Sequence, residues 1–264
     1  MSKIMSHEKI DFGFKQVAKQ EKSALVAKIF DNVATKYDLM NDLMSGGLHR
    51  IWKDKMVQEV DFKCSNNDEK KNYKIIDVAG GTGDIAFRIL KKAHKENINV
   101  QIDLVDINGE MLQIGQNRAV DNNLFSKLKF QIADGENLPY ENQQFDYYVI
   151  AFGLRNFTDI KKGLSEAHRV LKPGGKFICL EFSQVNNLFL AKIYDLYSFN
   201  IIPKIGKFIA GDEDAYKYLV ESIRKFPDQE NFKNKLEDSG FTNVKYKNLN
   251  FGTVTIHSAF ARES

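Results

Sequence analysis

Past residue 73, short apolar runs alternate with stretches whose apolar residues recur every three or four positions. The runs at 74–79 (KIIDVA), 100–106 (VQIDLVD), 128–133 (LKFQIA), 145–151 (FDYYVIA) and 176–182 (KFICLEF) predict five strands. Helices are expected at 84–95, where Ile85, Ile89 and Ala93 share one side, at 109–120 and around 161–171. Several of the strands are nearly all apolar, as they are when helices cover both faces of a parallel sheet. Alternating β and α elements imply right-handed crossovers and a doubly wound α/β sheet.

Both ends of the chain depart from that rhythm. Residues 228–239 predict a helix ending at Gly240, followed by two extended runs, 244–250 and 253–262, split by Phe251-Gly252. That spacing suits a terminal β-hairpin. A mostly parallel, seven-stranded sheet closed by a hairpin resembles the Rossmann-like class I methyltransferases, whereas a dehydrogenase half-domain usually continues β-α-β. Near the start, Val26, Phe30, Val33, Tyr37 and Met40 recur at helical spacing. The polar run 64–72 (CSNNDEKKN) divides an N-terminal helical segment, residues 1–72, expected to cover the site, from a main domain at 73–264. Within that domain, 186–224 is too long for a plain connection and rich in aromatic and Ile residues, among them Tyr194, Tyr197 and Phe208. It reads either as a helical layer on the core or as a lid or groove for a greasy substrate.

Composition narrows the class. The chain has 264 residues, 43% hydrophobic and 28% charged, with a net charge of +3. These values exclude a disordered chain, a collagen-like fibre and a highly basic nucleic-acid tail. No stretch approaches the roughly 18 apolar residues of a membrane-spanning helix. The two cysteines are far apart, the five histidines are scattered, and neither C-x-x-C nor H-E-x-x-H occurs, so no metal is expected. The opening MSKIMSHEKIDFGFKQ has no apolar signal core and no Arg precedes Arg50, which points to a reducing cytoplasm. Only seven of the 38 basic residues are Arg. The lysine excess is an ordinary solvated surface or, alternatively, suits peripheral contact with an anionic membrane face.

The chemistry concentrates at strand ends. Asp77-Val78-Ala79-Gly80-Gly81-Thr82-Gly83-Asp84 ends one strand and opens a helix, where glycines allow a sharp turn and close approach of a ligand. Asp106 ends the next strand, placed to accept both hydrogen bonds of a ribose diol. Gly81-x-Gly83-x-x-Ala86 formally matches a dinucleotide fingerprint, which keeps an NAD(P)-dependent oxidoreductase as an alternative. Asp77 favours S-adenosylmethionine instead, because a carboxylate there would repel a diphosphate; it either contacts the ligand or holds the loop amides. Asp134-Gly135, after the third strand, can accept from an adenine amino group and leave room for its ring, or be an ordinary turn.

Two longer segments carry a specific resemblance. Residues 37–52 (YDLMNDLMSGGLHRIW) and 169–183 (RVLKPGGKFICLEFS) resemble the two signature stretches of the UbiE family, the ubiquinone/menaquinone biosynthesis C-methyltransferases. Tyr37, Asp38, Met40, Asn41, Met44, Ser45, His49 and Trp52 fill the first. AGGTGD, the stretch from Asp106 to Leu112, and FGLRN (Phe152 to Asn156) are also similar, and the likeness runs over about residues 11 to 260. It implies C-methylation of a polyprenylated hydroquinone, demethylmenaquinol or 2-methoxy-6-polyprenyl-1,4-benzoquinol or both. It implies donor contacts from Thr82, Asp106 and the Asp134-Gly135 pair. Where the family often has Ser just before FGLRN, this chain has Ala151, which offers no side-chain hydrogen bond.

The reaction itself limits the acceptor. Methyl transfer from a sulfonium is an in-line displacement, and an aromatic carbon becomes nucleophilic only when its ring is electron-rich. A quinol qualifies and a quinone does not, so the reduced form is the substrate, and its hydroxyl proton must be removed. Arg155 would stabilise a phenolate and orient a water, or else form a structural ion pair. Tyr37, Asn41 and His49 come from the segment expected over the site; Asn41 is a substrate-binding candidate. His49 could take the proton, or cap and pack. A non-catalytic lipid-quinone-binding assembly subunit and a homo-oligomer stay open at this point.

Overall fold

The computed structural model describes residues 8–33, 41–42, 45–62, 72–184 and 213–262. Tyr37, Met40, Met44, Cys64, nearly all of the polar run and the aromatic stretch 185–212 lie outside the described residues.

Two short antiparallel strands, β1 (Lys9–Phe12) and β2 (Lys15–Ala18), lead into α1 (Lys19–Val33) and then α2 (His49–Gln58). The main sheet follows. β3 (Asn72–Val78), α3 (Asp84–Lys95), β4 (Asn99–Asp106), α4 (Gly109–Asp121) and β5 (Leu128–Ile132) form one half. β6 (Phe145–Ala151), α5 (Ile160–Val170) and β7 (Leu171–Phe182) form the other. α6 (Glu213–Lys225), α7 (Gln229–Asp238), β8 (Phe241–Leu249) and β9 (Val254–Ala261) complete the chain.

The sheet order is β5-β4-β3-β6-β7-β9-β8. The first five strands pair in parallel; β9 runs antiparallel to β7 and β8. Successive side chains of a strand face opposite sides, so Ile75 joins one core layer with Trp52, Ile89 and Leu104, while Ile76 joins the other with Tyr148, Phe177 and Phe232. Both layers are dry, which explains why alternation is weak in the sequence.

The parallel strands, helices and closing hairpin match the sequence reading closely, with two differences. The fifth strand, expected at 176–182, extends back to Leu171 across an irregularity at Lys172-Pro173-Gly174-Gly175: Phe145 pairs with Leu171 but Tyr147 pairs with Lys176. The N-terminal hairpin was not legible, because four-residue strands carry too few positions to show a period. It is held by distant contacts. Phe12 stacks on Tyr218 at 4.5 Å, and the Phe14 amide donates to Glu221 Oε2 at 2.9 Å. Gly13 is required there, since a Cβ would sit 2.3 Å from the Glu221 carboxylate.

Trp52 ties three parts together. It is 2% exposed, packs on Phe152 and Phe182, and its indole N–H donates to Asn250 Oδ1 at 2.6 Å in the turn before β9. Trp52→Ala is expected to lower unfolding free energy by about 3–5 kcal/mol, read from the midpoint of a denaturant titration at unchanged slope.

Candidate active site

The strand order reverses between β3 and β6, and the carboxyl ends of strands at such a switch point are where open α/β sheets bind ligands. A cleft of about 800 Å³, mouth included, opens there. Its walls come from successive strand ends: Val78 and Ala79 after β3, Asp106 to Asn108 after β4, Ala133 to Glu136 after β5, and Phe152 and Gly153 after β6. Ser23, Val26 and Ala27 of α1 form a further wall.

The glycine loop is built by its neighbours. Gly81 (φ +54°) and Gly83 (φ +84°) take left-handed conformations that L-residues rarely adopt. The Gly81 amide donates to Asp106 Oδ2 and the Asn108 amide to Oδ1, each at 2.9 Å. Asp106 lines the cleft, and each carboxylate oxygen has capacity for a further hydrogen bond, as a vicinal diol requires. Burial pushes the Asp106 carboxyl up to about 6, against the amide bonds that favour its charge.

Asp77 lies beneath the loop, 1% exposed and outside the cleft. Neither oxygen has a hydrogen-bond partner; the Ala86 amide favours its charge but falls short of bonding geometry. Burial pushes it up to about 8, so it is largely protonated near neutrality. The sequence reading that Asp77 holds the loop amides by hydrogen bonds is therefore corrected: the loop amide of Gly81 goes to Asp106 instead.

The other candidates divide. Asp134 and Gly135 line the cleft, and Asp134 Oδ1 accepts from the Glu136 amide at 2.8 Å. Gly135 makes room for protein as well: a Cβ would meet the Phe157 ring at 2.4 Å. Thr82 is set back, its hydroxyl accepting from Arg118 Nη1 of α4 at 3.0 Å. Gly83 packs against Phe87 and Leu104 and does not line the cleft.

Arg155 follows β6 and is 8% exposed. Its Nη1 donates to Glu181 Oε1 at 2.9 Å and to the Phe152 carbonyl, and its Nε is buried without a partner. It faces a second, more polar cavity of about 1220 Å³, mouth included, which shares only the Phe157–Thr158 wall with the cleft. The ion-pair reading of Arg155 is thus realised in the structure. Asn41 and His49 form a separate cluster at the start of α2, away from the cleft lining.

Sequence reasoning missed several cleft residues. Ala79 (φ +52°) and Phe152 (φ +56°) adopt left-handed backbone at the ends of the two central strands, and both line the cleft. Such strain clusters at functional sites; the only trace in the sequence is the glycine after each. Glu136 is 8% exposed and accepts from the Thr158 and Asp159 amides. Lys22 of α1, also 8% exposed, donates to the Phe157 carbonyl at 2.8 Å and fastens the helix to the cleft wall.

The cleft fits an adenosyl sulfonium: apolar walls from Val26, Val78, Met111 and Phe157, carboxylates from Asp106, Asp134 and Glu136, and, among the described residues, no cation lining it. Among the described residues, no group of three or more His, Cys, Asp or Glu side chains is placed to hold a metal.

Because Asp77 and Asp106 keep their protons to higher pH when folded than when unfolded, folding binds protons, and stability falls as pH rises. The Asp77 part spans about pH 4 to 8 and the Asp106 part about pH 4 to 6. Asp77→Asn is expected to flatten the fall in melting temperature across the upper part of that range.

Comparison with known proteins agrees with this geometry. Residues 15–261 match the model of the ubiE/COQ5 methyltransferase family. A relative from Rickettsia bellii, described as ubiquinone/menaquinone biosynthesis C-methyltransferase UbiE, is 52% identical over 95% of this chain and 98% of its own. The UbiE of Rickettsia rickettsii is 53% identical over 96% and 98%. Among solved structures, a SAM-dependent methyltransferase from Thermotoga maritima superposes with a TM-score of 0.60 at 16% identity, covering 89% of this chain and 99% of its own. The [4+2]-cyclase SpnF superposes at 0.62 and 15% identity, covering 90% and 96%. Such distant likenesses establish the fold alone, but the sequence match over nearly the whole chain establishes that this protein belongs to the ubiE/COQ5 methyltransferase family.

Proposed function

We propose that this protein transfers the methyl group of S-adenosylmethionine to a ring carbon of a polyprenylated hydroquinone, demethylmenaquinol or 2-methoxy-6-polyprenyl-1,4-benzoquinol or both. This is a step of menaquinone and ubiquinone biosynthesis. The observation that carries the reading is the Asp106 carboxylate in a chain of this family: pinned by two amides, it presents a diol acceptor at the rim of an acidic cleft.

Asp106 would hold the ribose, Asp134 and Gly135 the adenine. Gly81, Thr82 and Gly83 would shape the loop, with Asp77 beneath it near the donor's ammonium. The bound donor supplies an electrophilic methyl carbon on sulfonium. Val26, Phe152 and Phe157 keep water from it. The N-terminal segment acts as a cover through α1, latched by Lys22. The Arg155–Glu181 pair would stabilise the quinolate. Tyr37 and Asn41 are proposed on the acceptor side.

No helix among the described residues is long and apolar enough to cross a membrane. We further propose that the protein works in the cytoplasm and meets its lipid at the inner face of the membrane through a lysine-rich surface.

Incubation with methyl-labelled S-adenosylmethionine and a reduced demethylquinol is expected to label a ring methyl, and the oxidised quinone to stay unlabelled. No label in the lipid, with a control enzyme active under the same reducing conditions, rejects the reading. Asp106→Ala is expected to weaken donor binding about 10- to 100-fold by calorimetry, the loss of one or two hydrogen bonds to a charged acceptor. Unchanged affinity removes Asp106 from the site.

A further inference from the structure

The first residue of α2 and the segment before it contain two buried polar atoms without hydrogen-bond partners. Ser45 Oγ donates to the Asn41 carbonyl at 2.6 Å and accepts from the His49 amide at 3.2 Å, which fixes Asn41, Ser45 and His49 as one unit. The His49 side chain is 5% exposed, and its Nε2 lies 2.9 Å from Asp42 Oδ1. Arg50 Nη2 holds the other Asp42 oxygen at 2.7 Å. Yet His49 Nδ1 and Asn41 Nδ2 are both buried without hydrogen-bond partners. Native proteins satisfy nearly all such atoms, and each exception calls for an explanation, a catalytic role among them.

The chemistry of the pair follows from Asp42. His49 and Arg50 hold that carboxyl below its usual range, so it is a charged acceptor with no proton to give. In the neutral imidazole the proton must then sit on Nε2, leaving Nδ1 as a bare lone pair. The segment joined through Ser45 contains an unsatisfied acceptor, His49 Nδ1, and an unsatisfied donor, Asn41 Nδ2. A phenolic hydroxyl offers the complement, one O–H and free lone pairs.

The location suits the acceptor. Trp52, one turn further along α2, packs on Phe152 of the cleft wall at 6.4 Å. Lys53 donates to Asp84, the first residue of the helix after the glycine loop, at 2.9 Å. His49 does not line the cleft, but the helix it opens is joined through Trp52 to the cleft wall and through Lys53 to the helix after the glycine loop.

We infer that Asn41 Nδ2 and His49 Nδ1 together grip one hydroxyl of the aromatic acceptor, with His49 as its general base and Asp42 as the positioning residue that sets the tautomer. The inference rests on the quinol reading above. His49 takes the hydroxyl proton, and the oxygen electron pair moves into the ring. The ring carbon bonds the methyl carbon as the carbon–sulfur bond breaks, its pair remaining on sulfur. The methylated carbon then loses its proton to solvent, and His49 returns its own to the oxygen. Burial, Lys53 and Arg50 disfavour the imidazolium while Asp42 favours it; burial dominates and draws the ring below its ordinary value, so it is neutral and competent at pH 7.

The test uses the full chain, a short-chain reduced demethylquinol and labelled donor. His49→Gln is expected to lower kcat about 100-fold or more and to erase the acid limb of the pH–kcat profile. Its affinity for S-adenosylhomocysteine, by calorimetry, should stay as in the wild type. Asp42→Asn, whose amide can donate to Nε2 and push the proton to Nδ1, is expected to lower kcat at least ~10-fold. Imidazole ¹⁵N shifts should show Nε2 protonated and Nδ1 bare in the wild type, a readout that needs no turnover. Wild-type kcat and acid limb in His49→Gln, or a protonated Nδ1 in the resting wild type, overturn the inference. If His49→Gln loses its melting transition, Asp42→Asn decides by the same profile. A wild-type protein that binds S-adenosylhomocysteine but methylates no reduced quinol sinks the quinol reading instead.

Discussion

The hydrogen bond from the Gly81 amide to Asp106 joins the turn after β3 to the end of β4, and the cleft depends on it. A glycine loop alone is a flexible segment with unsatisfied amides. Anchored to a carboxylate that also accepts from Asn108, it is held fixed beside the cleft that Asp106 lines. The left-handed conformations of Gly81 and Gly83 are what allow the amide to point there. The same carboxylate is held in place by the loop, so the two sides of the cleft position each other.

Charge is the second constraint. Asp77, Asp106, Asp134 and Glu136 gather at three adjacent strand ends, and the cations nearby are engaged elsewhere. Lys53 is bound to Asp84, Arg118 to Thr82 and Arg155 to Glu181. Burial raises Asp77 and Asp106, so the folded protein gives up stability to keep carboxyls in a dry place. A cationic ligand would offset part of that by favouring the ionised forms. An acidic, apolar-walled cleft is well matched to a sulfonium and poorly matched to a diphosphate.

The N-terminal elements turn an open sheet edge into an enclosed site. α1 contributes a wall and is fastened by Lys22, whose ammonium is buried against the Phe157 carbonyl. The β1–β2 hairpin is in turn bound to α6 through Glu221 and Tyr218. Trp52 carries α2 onto the rim formed by Phe152 and Phe182. Elements distant in sequence thereby surround the same strand ends, and the two cavities they enclose meet at Phe157 and Thr158.

The order of strands and helices, the glycine turn and the acids at Asp106 and Asp134 were legible from the chain itself. Hydrophobic period and turn chemistry are local properties, readable within a few residues. What the local pattern could not show was which way a polar side chain faces. The hydroxyl of Thr82 is held by Arg118, and of the two readings of Arg155 the ion pair with Glu181 is the one seen on folding. The left-handed Ala79 and Phe152, the β1–β2 hairpin and the Asp42–His49 pair also emerge only on folding. Each depends on a neighbour brought up by tertiary packing, and the free energy of a buried hydrogen bond or ion pair is set by that neighbour and by the exclusion of water around it. The sequence by itself determined the order of the strands and the glycine turn at their ends, and the tertiary structure decided which polar atoms face the cleft and which are engaged with a neighbour.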